Sequence, residues 1–220
     1  MSKFAWSHTS KTLFDTCPKK YEAEKVTKVI KFQETPATKW GNEVHKWLEN
    51  RVKLGTPLPD AIKQYEPLAA KICAMKGQIL CEQQMTLTAE GVPCDWFGKG
   101  AWLRGAADVL VLNGESAYVL DYKTGKRKAE TDQLALMALL VFYHYPEVKR
   151  CKTMFLWLKS NETDQDTFYR EQIEQLWDMF MPTVELMQTA HEQGHFPAKP
   201  NGLCRNWCEL HTCPHNGKFK

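Results

Sequence analysis

Residues 105–123 have the sequence GAADVLVLNGESAYVLDYK, in which two apolar runs flank a turn that contains Gly114. Apolar runs on either side of a short glycine turn predict a β-hairpin. If Gly114 and Glu115 are the two loop residues, counting outward from the turn places Asp108 opposite Asp121. The hairpin therefore predicts two carboxylates on one face of a sheet, with their Cβ atoms about 5 Å apart.

The chemistry of this hairpin favours a metal site. Lys123 follows Asp121 by two residues, so its side chain projects from the same face of the strand. Paired carboxylates repel each other unless a cation lies between them, and an oxygen-rich pocket suits Mg²⁺ or Mn²⁺. Such an ion supports phosphodiester hydrolysis, and a neighbouring lysine can stabilise the developing charge. The alternative is a surface hairpin with solvated charges, but charged residues within apolar strands need a partner.

The pattern outside the hairpin predicts a mixed α/β protein. Pro18 interrupts a first helix that carries Phe14, Cys17 and Tyr21, so this element is expected to be kinked or split. The remaining predicted helices cover about residues 38–54, 59–76, 132–145 and 174–193, and the predicted strands cover about residues 79–88, 101–112, 116–123, 151–159 and 166–172.

Composition predicts a single soluble domain over residues 1–220, with a helical part at 1–78, a core at 79–195 and a tail at 196–220. The chain is 43% hydrophobic and 11% aromatic, which supports a true core. A net charge of +3 leaves the type of partner open. The N-terminus lacks a signal-peptide pattern and the longest apolar run, 134–143, is too short to span a bilayer. We therefore expect a cytoplasmic protein with no membrane partner.

Several short motifs follow one another in a characteristic order. They are Phe14-x-x-Cys17-Pro18-x-x-Tyr21, Gly41-x-x-x-His45-x-x-Leu48-Glu49, Gly105-x-x-Asp108, Asp121-Tyr122-Lys123-Thr124-Gly125, Gln133 at the start of a helix, and three cysteines at the end of the chain. This order resembles the RecB-type branch of the PD-(D/E)xK nuclease superfamily. Within that branch it is most similar to small exonucleases related to the CRISPR-associated RecB-like nucleases and the AddB-type nucleases.

The resemblance implies a restriction-endonuclease-like α/β core, in which helices flank a mixed central sheet, with an N-terminal helical segment and a C-terminal cysteine-rich tail. It also implies a Mg²⁺ or Mn²⁺ ion bound by His45, Asp108, Asp121 and the backbone carbonyl of Tyr122. Lys123 would be catalytic, together with Asp108 and Asp121. Glu82 is a candidate secondary acid, for which the solvated alternative is favoured.

The expected activity is a metal-dependent deoxyribonuclease, acting as an exonuclease on single-stranded DNA or free ends. Candidate DNA contacts are Gln133, which could instead position the site, and Arg104, Lys126 and Lys128, for which a solvated basic surface is the alternative. A helicase or recombination protein would be a separate chain. Two other functions stay open: a non-catalytic DNA-binding or scaffold protein with a structural metal site, and a site-specific endonuclease. The pathway could be recombination, repair, CRISPR adaptation or viral DNA metabolism.

The resemblance further implies a [4Fe–4S] cluster held by Cys17, Cys204, Cys208 and Cys213. The tail spacing here is Cys-x3-Cys-x4-Cys, whereas Cys-x2-Cys-x5-Cys is the commoner family spacing, so the middle ligand is displaced by one residue. A Zn²⁺ ion held by the three tail cysteines with His211 or His215 is the alternative. Three thiols without any metal are the third possibility, although an irregular tail with little core favours a metal clip.

Overall fold

The computed structural model describes residues 4–128 and 132–218. Within these ranges the helices are α1 (His8–Thr16), α2 (Pro18–Tyr21), α3 (Pro36–Leu54), α4 (Glu66–Cys73), α5 (Asp132–His144) and α6 (Ile173–Gln193), and the strands are β1 (Gln78–Leu87), β2 (Leu103–Asn113), β3 (Ser116–Lys123), β4 (Arg150–Trp157) and β5 (Glu162–Tyr169). The chain divides into two compact units. The sheet unit comprises Glu34–Met179, and the tail unit comprises the described residues of Met1–Gln33 and Phe180–Lys220.

The sheet unit is built on a mixed five-stranded sheet with the strand order β1-β2-β3-β4-β5. β1–β2, β2–β3 and β4–β5 pair antiparallel, whereas β3 and β4 pair parallel. Parallel strands need a crossover connection, and α5 lies in the connection between β3 and β4. The predicted mixed sheet with flanking helices is confirmed.

Helices cover the two faces of this sheet. Val109 and Leu120 face α3 and α4 in a core that also contains Leu48 of α3 and Ile72 of α4. On β4, Leu156 belongs to this core, while its neighbours Phe155 and Trp157 pack with Leu134 of α5. Side chains alternate between the faces of a strand, so α5 covers the face opposite to α3 and α4.

Close packing of α5 on β2 depends on Gly105. A Cβ atom at this position would lie 2.5 Å from Leu140 Cδ1 and 3.3 Å from Met137 Sδ, both in α5. The run Leu134–Phe142 is buried without interruption, as expected for a helix inside a core. The glycine three residues before Asp108 therefore lets a helix pass directly over the strand that carries the aspartate.

The tail unit has little regular structure beyond its helices. Cys17, with an extended backbone, separates α1 from α2, and Pro18 starts the second helix, so the predicted split is confirmed. Tyr21 and Phe196 pack against the ring of His191, and Phe14 packs against Tyr21. Burial raises the pKa of Tyr21 to about 12. Asn216 closes the tail, because its side-chain amide donates to the backbone oxygens of Cys208 and Leu210.

Two predicted elements differ in their bounds. The helix predicted over residues 59–76 is a 3₁₀ turn at Asp60–Tyr65 followed by α4, and Pro67 lies in the first turn of α4, where its missing N–H costs no helical hydrogen bond. The strand predicted over 166–172 is β5, which begins at Glu162 because β4 and β5 are joined by a short turn. β5 is an edge strand paired only with β4. Its first residues are polar and give no apolar pattern, so the sequence does not predict that the strand begins at Glu162.

None of the helices in the described ranges combines the length and the apolar character needed to cross a membrane.

Candidate metal centre

The hairpin has the register that its turn predicts. Asn113 pairs with Ser116, and the ladder continues to Val109 opposite Leu120. Asp108 and Asp121 follow directly beyond the last ladder pair, in the same register. At this point a side chain takes the place of a backbone acceptor on the neighbouring strand. The Oδ2 of Asp108 accepts a hydrogen bond from the backbone N–H of Tyr122 at 2.6 Å. The site therefore begins where β2 and β3 stop pairing.

α3 brings His45 to this point. Val44 and Leu48 of the same helix are buried against the sheet, so His45 lies at the edge of the apolar stripe. Its Nδ1 is 3.1 Å from Asp108 Oδ1, and its ring meets the ring of Tyr122 edge-on with a centroid distance of 5.7 Å. The structure thus joins the predicted histidine to the first predicted acid.

Glu82 of β1 completes a group of three possible ligands. One ligand atom each from His45, Glu82 and Asp108 lies within 4.8 Å of the others, and no other such group of three occurs among residues 4–128 and 132–218. The register of β1 with β2 places Glu82 between the pairs Cys81↔Val109 and Gln83↔Ala107, so that Glu82 is level with Asp108. Glu82 also has a left-handed backbone with φ of 51°, which is uncommon outside glycine. Glu82, for which the sequence favoured a solvated side chain, is thus a further candidate ligand.

This donor set fits a hard divalent cation. One imidazole nitrogen and two carboxylates are ligands that Mg²⁺ and Mn²⁺ accept, and a tetrahedral thiolate site is absent from this group. The spacing also fits, because ligand atoms about 2.1 Å from one ion lie within roughly 4.2 Å of each other. The ligand atoms of His45, Glu82 and Asp108 already lie within 4.8 Å of one another. A small movement of these side chains would bring the atoms to the distances that one ion requires.

The second predicted acid forms a separate network with the lysine. Asp121 Oδ2 is 2.8 Å from Lys123 Nζ, and Gln133 bridges the pair. Its Oε1 accepts from Lys123 Nζ at 3.0 Å, and its Nε2 donates to Asp121 Oδ1 at 3.1 Å. The ammonium group also lies 4.5 Å from the centroid of the Phe155 ring. Lys123 is therefore held on three sides.

The charge of Asp108 raises the pKa values of two neighbouring acids. Burial raises the pKa of Asp121, and the charge of Asp108 raises it further, against the opposing effect of Lys123. Burial and the charge of Asp108 also raise the pKa of Glu82. Burial lowers the pKa of His45, but the hydrogen bond to Asp108 and the surrounding carboxylates outweigh it, so the net shift is upward. A divalent cation would relieve the mutual repulsion of these carboxylates.

The predicted DNA contacts lie in different surroundings. The Nε of Arg104 donates to Trp96 O at 2.8 Å, so this guanidinium is tied to the loop before β2. Lys126 and Lys128 are exposed after β3. Arg127 between them is paired with Glu162 and Asp164 of β5. The roles of Arg104, Lys126 and Lys128 in DNA binding stay predictions, as does the contact by Gln133.

The four predicted cluster cysteines line one cavity in the tail unit. This cavity has a volume of about 450 Å³ including its open mouth, and Cys17, Cys204, Cys208 and Cys213 are all in its wall, together with His215. Two sulfurs accept backbone hydrogen bonds, Cys17 from Lys199 and Cys204 from Asn201, each at 3.4 Å. Hydrogen bonds to the sulfurs are among the features that tune protein-bound iron–sulfur clusters.

The spacing of the tail cysteines bears on the zinc alternative. Zinc–sulfur bonds of about 2.3 Å require bound sulfurs to lie within roughly 4.6 Å of each other. In the part of the chain that the structure describes, no three ligand atoms of the tail cysteines and histidines lie within 4.8 Å. The tail cysteines and histidines of the described ranges therefore lack the spacing of a single tetrahedral ion site.

Comparison with known protein families gives one match. A family described as the PD-(D/E)XK nuclease superfamily matches residues 77–214. These residues include all five strands of the sheet, α5, α6 and the three tail cysteines, whereas α3 with His45 lies before them. No curated protein sequence matches the chain.

Comparison with solved structures supports the same fold. A protein from Eubacterium rectale named as a "putative exonuclease" is similar with a TM-score of 0.53 and 15% sequence identity, over 94% of this chain and 87% of that one. A protein called SSO0001 is also similar, with a TM-score of 0.44 and 15% identity, over 84% of this chain and 78% of that one. The predicted restriction-endonuclease-like α/β fold is confirmed by the family match and the mixed sheet.

Proposed function

Since the chain belongs to the PD-(D/E)XK nuclease superfamily, we propose that it is a Mg²⁺- or Mn²⁺-dependent deoxyribonuclease that acts as an exonuclease on single-stranded DNA or free ends. The observation that carries this proposal is the convergence of His45, Glu82 and Asp108 on one point. The Asp121–Lys123 pair lies on the neighbouring strand of the hairpin. The order of sequence motifs and the RecB-type resemblance support the same proposal.

The proposed ligands are His45, Asp108, Asp121 and the carbonyl of Tyr122, with Glu82 added from the structure. When bound, a divalent cation supplies Lewis-acid stabilisation of the phosphoryl group and lowers the pKa of a coordinated water. Asp108 holds two of the participating elements together, because one carboxylate contacts both His45 on α3 and the backbone of β3.

Lys123 is the proposed catalytic side chain. Asp121 and Gln133 fix its ammonium group by two short contacts of 2.8 and 3.0 Å, so little reorganisation is needed when charge develops on the scissile phosphate. A preorganised positive charge at this position stabilises the transition state more than the ground state.

The test uses end-labelled single-stranded, double-stranded and circular DNA incubated with Mg²⁺, Mn²⁺ or EDTA. We expect metal-dependent loss of the label from linear single strands and no cleavage of circles. Removing one such stabilising group costs about 10²- to 10³-fold in kcat, so Lys123→Ala and Asp121→Ala should lower turnover at least this far. The matched controls are Lys159→Ala and Asp166→Ala, which change the same residue types outside the site.

Each other result assigns a different function. Unchanged turnover in Lys123→Ala or Asp121→Ala would exclude this site. Cleavage of circular DNA would make the protein an endonuclease. Binding of DNA without metal-dependent products on any substrate would support the non-catalytic DNA-binding protein.

We further propose that Cys17, Cys204, Cys208 and Cys213 hold a [4Fe–4S] cluster. The shared cavity and its backbone N–H···S contacts support this proposal. Protein purified without oxygen should contain about four irons and four acid-labile sulfides per chain, and Cys208→Ser should lose them, whereas Cys73→Ser should not. Stoichiometric zinc without sulfide would contradict the cluster.

Participation in DNA recombination or repair, with a separate helicase or recombination protein as partner, follows from the RecB-type resemblance and belongs to the same proposal. A search for proteins that stimulate cleavage of duplex DNA by the purified chain would test it, with Lys123→Ala as the inactive control.

A further inference from the structure

The stretch of the tail unit between Lys20 and Gln33 exposes large apolar side chains. Phe32 is 81% exposed and Val29 is 68% exposed, and Trp207 in the tail is 74% exposed. Phe32 and Trp207 line the same open depression, which has a volume of about 600 Å³ including its mouth. Two exposed aromatic rings in one depression are costly to leave in water, and such patches mark binding sites.

Lysines accompany these aromatic residues. Lys25, Lys28 and Lys31 recur at every third position, and all three are exposed. None of them forms an ion pair with a residue in the described ranges. Lys20 also lines the depression. Its Nζ is 3.4 Å from Oε1 of Glu24, so this lysine neutralises one of the carboxylates in the depression. The stretch 18–33 contains five lysines and two glutamates, so its net charge is positive.

The backbone of this stretch is irregular but held in place. Glu22–Val26 forms a π-helical turn after α2, a feature frequently found at functional sites. Lys28 has a left-handed backbone with φ of 54°, and the N–H of Ile30 donates to Ala23 O at 3.0 Å. A strained conformation of this kind persists only where its surroundings enforce it. The lysines and Phe32 are therefore presented on a fixed turn.

We propose that this depression is a binding site for single-stranded nucleic acid. Phe32 and Trp207 stack on unpaired bases, and the lysines of the stretch 25–31 contact the phosphates. Aromatic side chains beside a positively charged groove are the features by which proteins hold single strands without sequence preference. A duplex offers phosphates but no free base faces, so it would use only the lysines.

The proposal rests on the proposed nuclease function, which makes single-stranded DNA a natural ligand of the chain. It adds a second contact with the single strand, at the depression, which requires no metal ion and none of the residues of the β2–β3 hairpin. An acidic or apolar protein surface is the other occupant that such a depression could take. Binding measurements on DNA separate these occupants directly.

The stacking residues are tested by fluorescence anisotropy with a labelled thymidine oligonucleotide of about 16 nucleotides. The protein carries Lys123→Ala and the buffer contains EDTA, so no DNA is degraded. Stacking of one base contributes about 1–3 kcal/mol, so Phe32→Ala and Trp207→Ala should each raise Kd by about 5- to 150-fold. Phe97→Ala is the matched control, since Phe97 is 88% exposed outside the depression and should leave Kd unchanged.

A conservative variant separates stacking from folding. Trp207→Phe keeps an aromatic face and should bind within a few-fold of the parent protein. If Trp207→Ala lowers the unfolding temperature, Phe32→Ala still tests the proposal, because Phe32 is almost fully exposed. Binding by Phe32→Ala that equals the parent protein would overturn the proposal, as would equal weakening of single-stranded and duplex DNA.

The lysines are tested by the salt dependence of the same binding. Each phosphate contact on a single strand contributes about 0.7 to the slope of log K against log salt. Joint substitution of Lys25, Lys28 and Lys31 by Gln should lower the magnitude of this slope by about 2, whereas Phe32→Ala should leave it unchanged. Joint substitution of Lys63, Lys71 and Lys76 by Gln is the charge-matched control. An equal slope for the two triple variants would contradict the role of the first set.

Failure of this proposal and failure of the nuclease proposal give different results. If the wild-type chain degrades no DNA but Phe32→Ala weakens binding, only the catalytic proposal fails. If the wild-type chain degrades DNA and Phe32→Ala neither weakens binding nor slows degradation, only the binding site fails. Hydrolysis of a small phosphodiester such as bis(p-nitrophenyl) phosphate should be the same in Phe32→Ala and wild type.

Discussion

At the scale of single residues, Gln133 has an unusual position, because it contacts both the lysine and the acid of the Asp121–Lys123 pair. A glutamine that contacts DNA would have its side-chain amide free to face the DNA. The amide of Gln133 is instead hydrogen-bonded to Lys123 and Asp121. Its contacts therefore favour a positioning role over a DNA contact, which were the two roles that the sequence left open.

We predict that Gln133→Ala lowers kcat by about 10- to 100-fold, the usual cost of removing a group that orients a metal ligand, with little change in KM. Loss of a DNA contact would instead raise KM with kcat unchanged. Steady-state kinetics on single-stranded DNA at saturating Mg²⁺ distinguish these cases, and Gln165→Ala on β5 is the matched control. A rise in KM alone would return Gln133 to the DNA contacts.

Glu82 illustrates what the residues alone could not reveal. The register of β2 with β3 follows from a two-residue turn, so the positions of Asp108 and Asp121 could be counted from Gly114. β1 and β2 are joined by the longer segment 88–102, which fixes no register. The level of Glu82 with Asp108, and its left-handed backbone, therefore became visible only in three dimensions.

At the scale of elements, the hairpin turn is the feature on which the site depends. Gly114 has φ of 58°, and no atom outside its neighbours lies within 4 Å of the position that a Cβ would take. A side chain there meets no steric clash with other elements, so the cost of substitution is a backbone cost alone. A substitution at Gly114 therefore measures how much the backbone conformation of the turn contributes to the free energy of unfolding.

We predict that Gly114→Ala lowers the free energy of unfolding by about 1–2 kcal/mol, the cost of a left-handed conformation for an ordinary residue. Gly114→Asn should cost less, because asparagine tolerates this conformation. Urea denaturation of both variants measures the difference. Gly125→Ala is the control, since Gly125 has open space around it and lacks a positive φ. Equal destabilisation by Ala and Asn would refute this explanation.

At the scale of the whole molecule, the sequence predicted the elements of the sheet unit well and the tail unit less completely. Apolar periodicity located β2, β3 and β4, because each of these strands has several buried positions, whereas the edge strand β5 has none. The tail unit instead depends on pairs far apart in the chain, such as the Tyr21 hydroxyl and His191 Nε2, which are 2.9 Å apart and 170 residues apart in sequence. Periodicity cannot anticipate such pairs. The single-domain prediction stays a prediction.

Stability of the whole chain should depend on pH through two partly buried histidines, His144 and His191. Burial lowers the pKa of His144, against a hydrogen bond to the Thr86 backbone that raises it. Below the unfolded-state pKa of about 6.5 the unfolded chain takes up a proton before the folded chain does. The stabilisation by neutral His144 is therefore full above about pH 6.5 and is lost as the pH falls through its lowered folded pKa. Burial lowers the pKa of His191 in the same direction.

We predict that His144→Gln reduces the loss of unfolding free energy between about pH 7.5 and about pH 5.5. Glutamine can still accept from the Thr86 N–H but cannot titrate. The raised pKa values of His45, Glu82 and Asp121 act in the opposite direction, but they are common to both proteins and cancel in the comparison. Urea denaturation at the two pH values is the measurement, and His195→Gln is the control. Identical pH dependence in His144→Gln and wild type would contradict the assignment.

The division into two units has a consequence for how the chain is made. The sheet unit is one continuous stretch, Glu34–Met179, whereas the tail unit joins residues from both ends of the sequence. During synthesis the first thirty-three residues must wait for the stretch after Phe180. At about 5–20 residues per second, the ribosome needs roughly 2–8 s to make residues 180–220. Until residue 213 has been made, Cys17 is without the full set of cysteines that share its cavity, so any metal centre there can only be completed after the whole of the sheet unit has been synthesised.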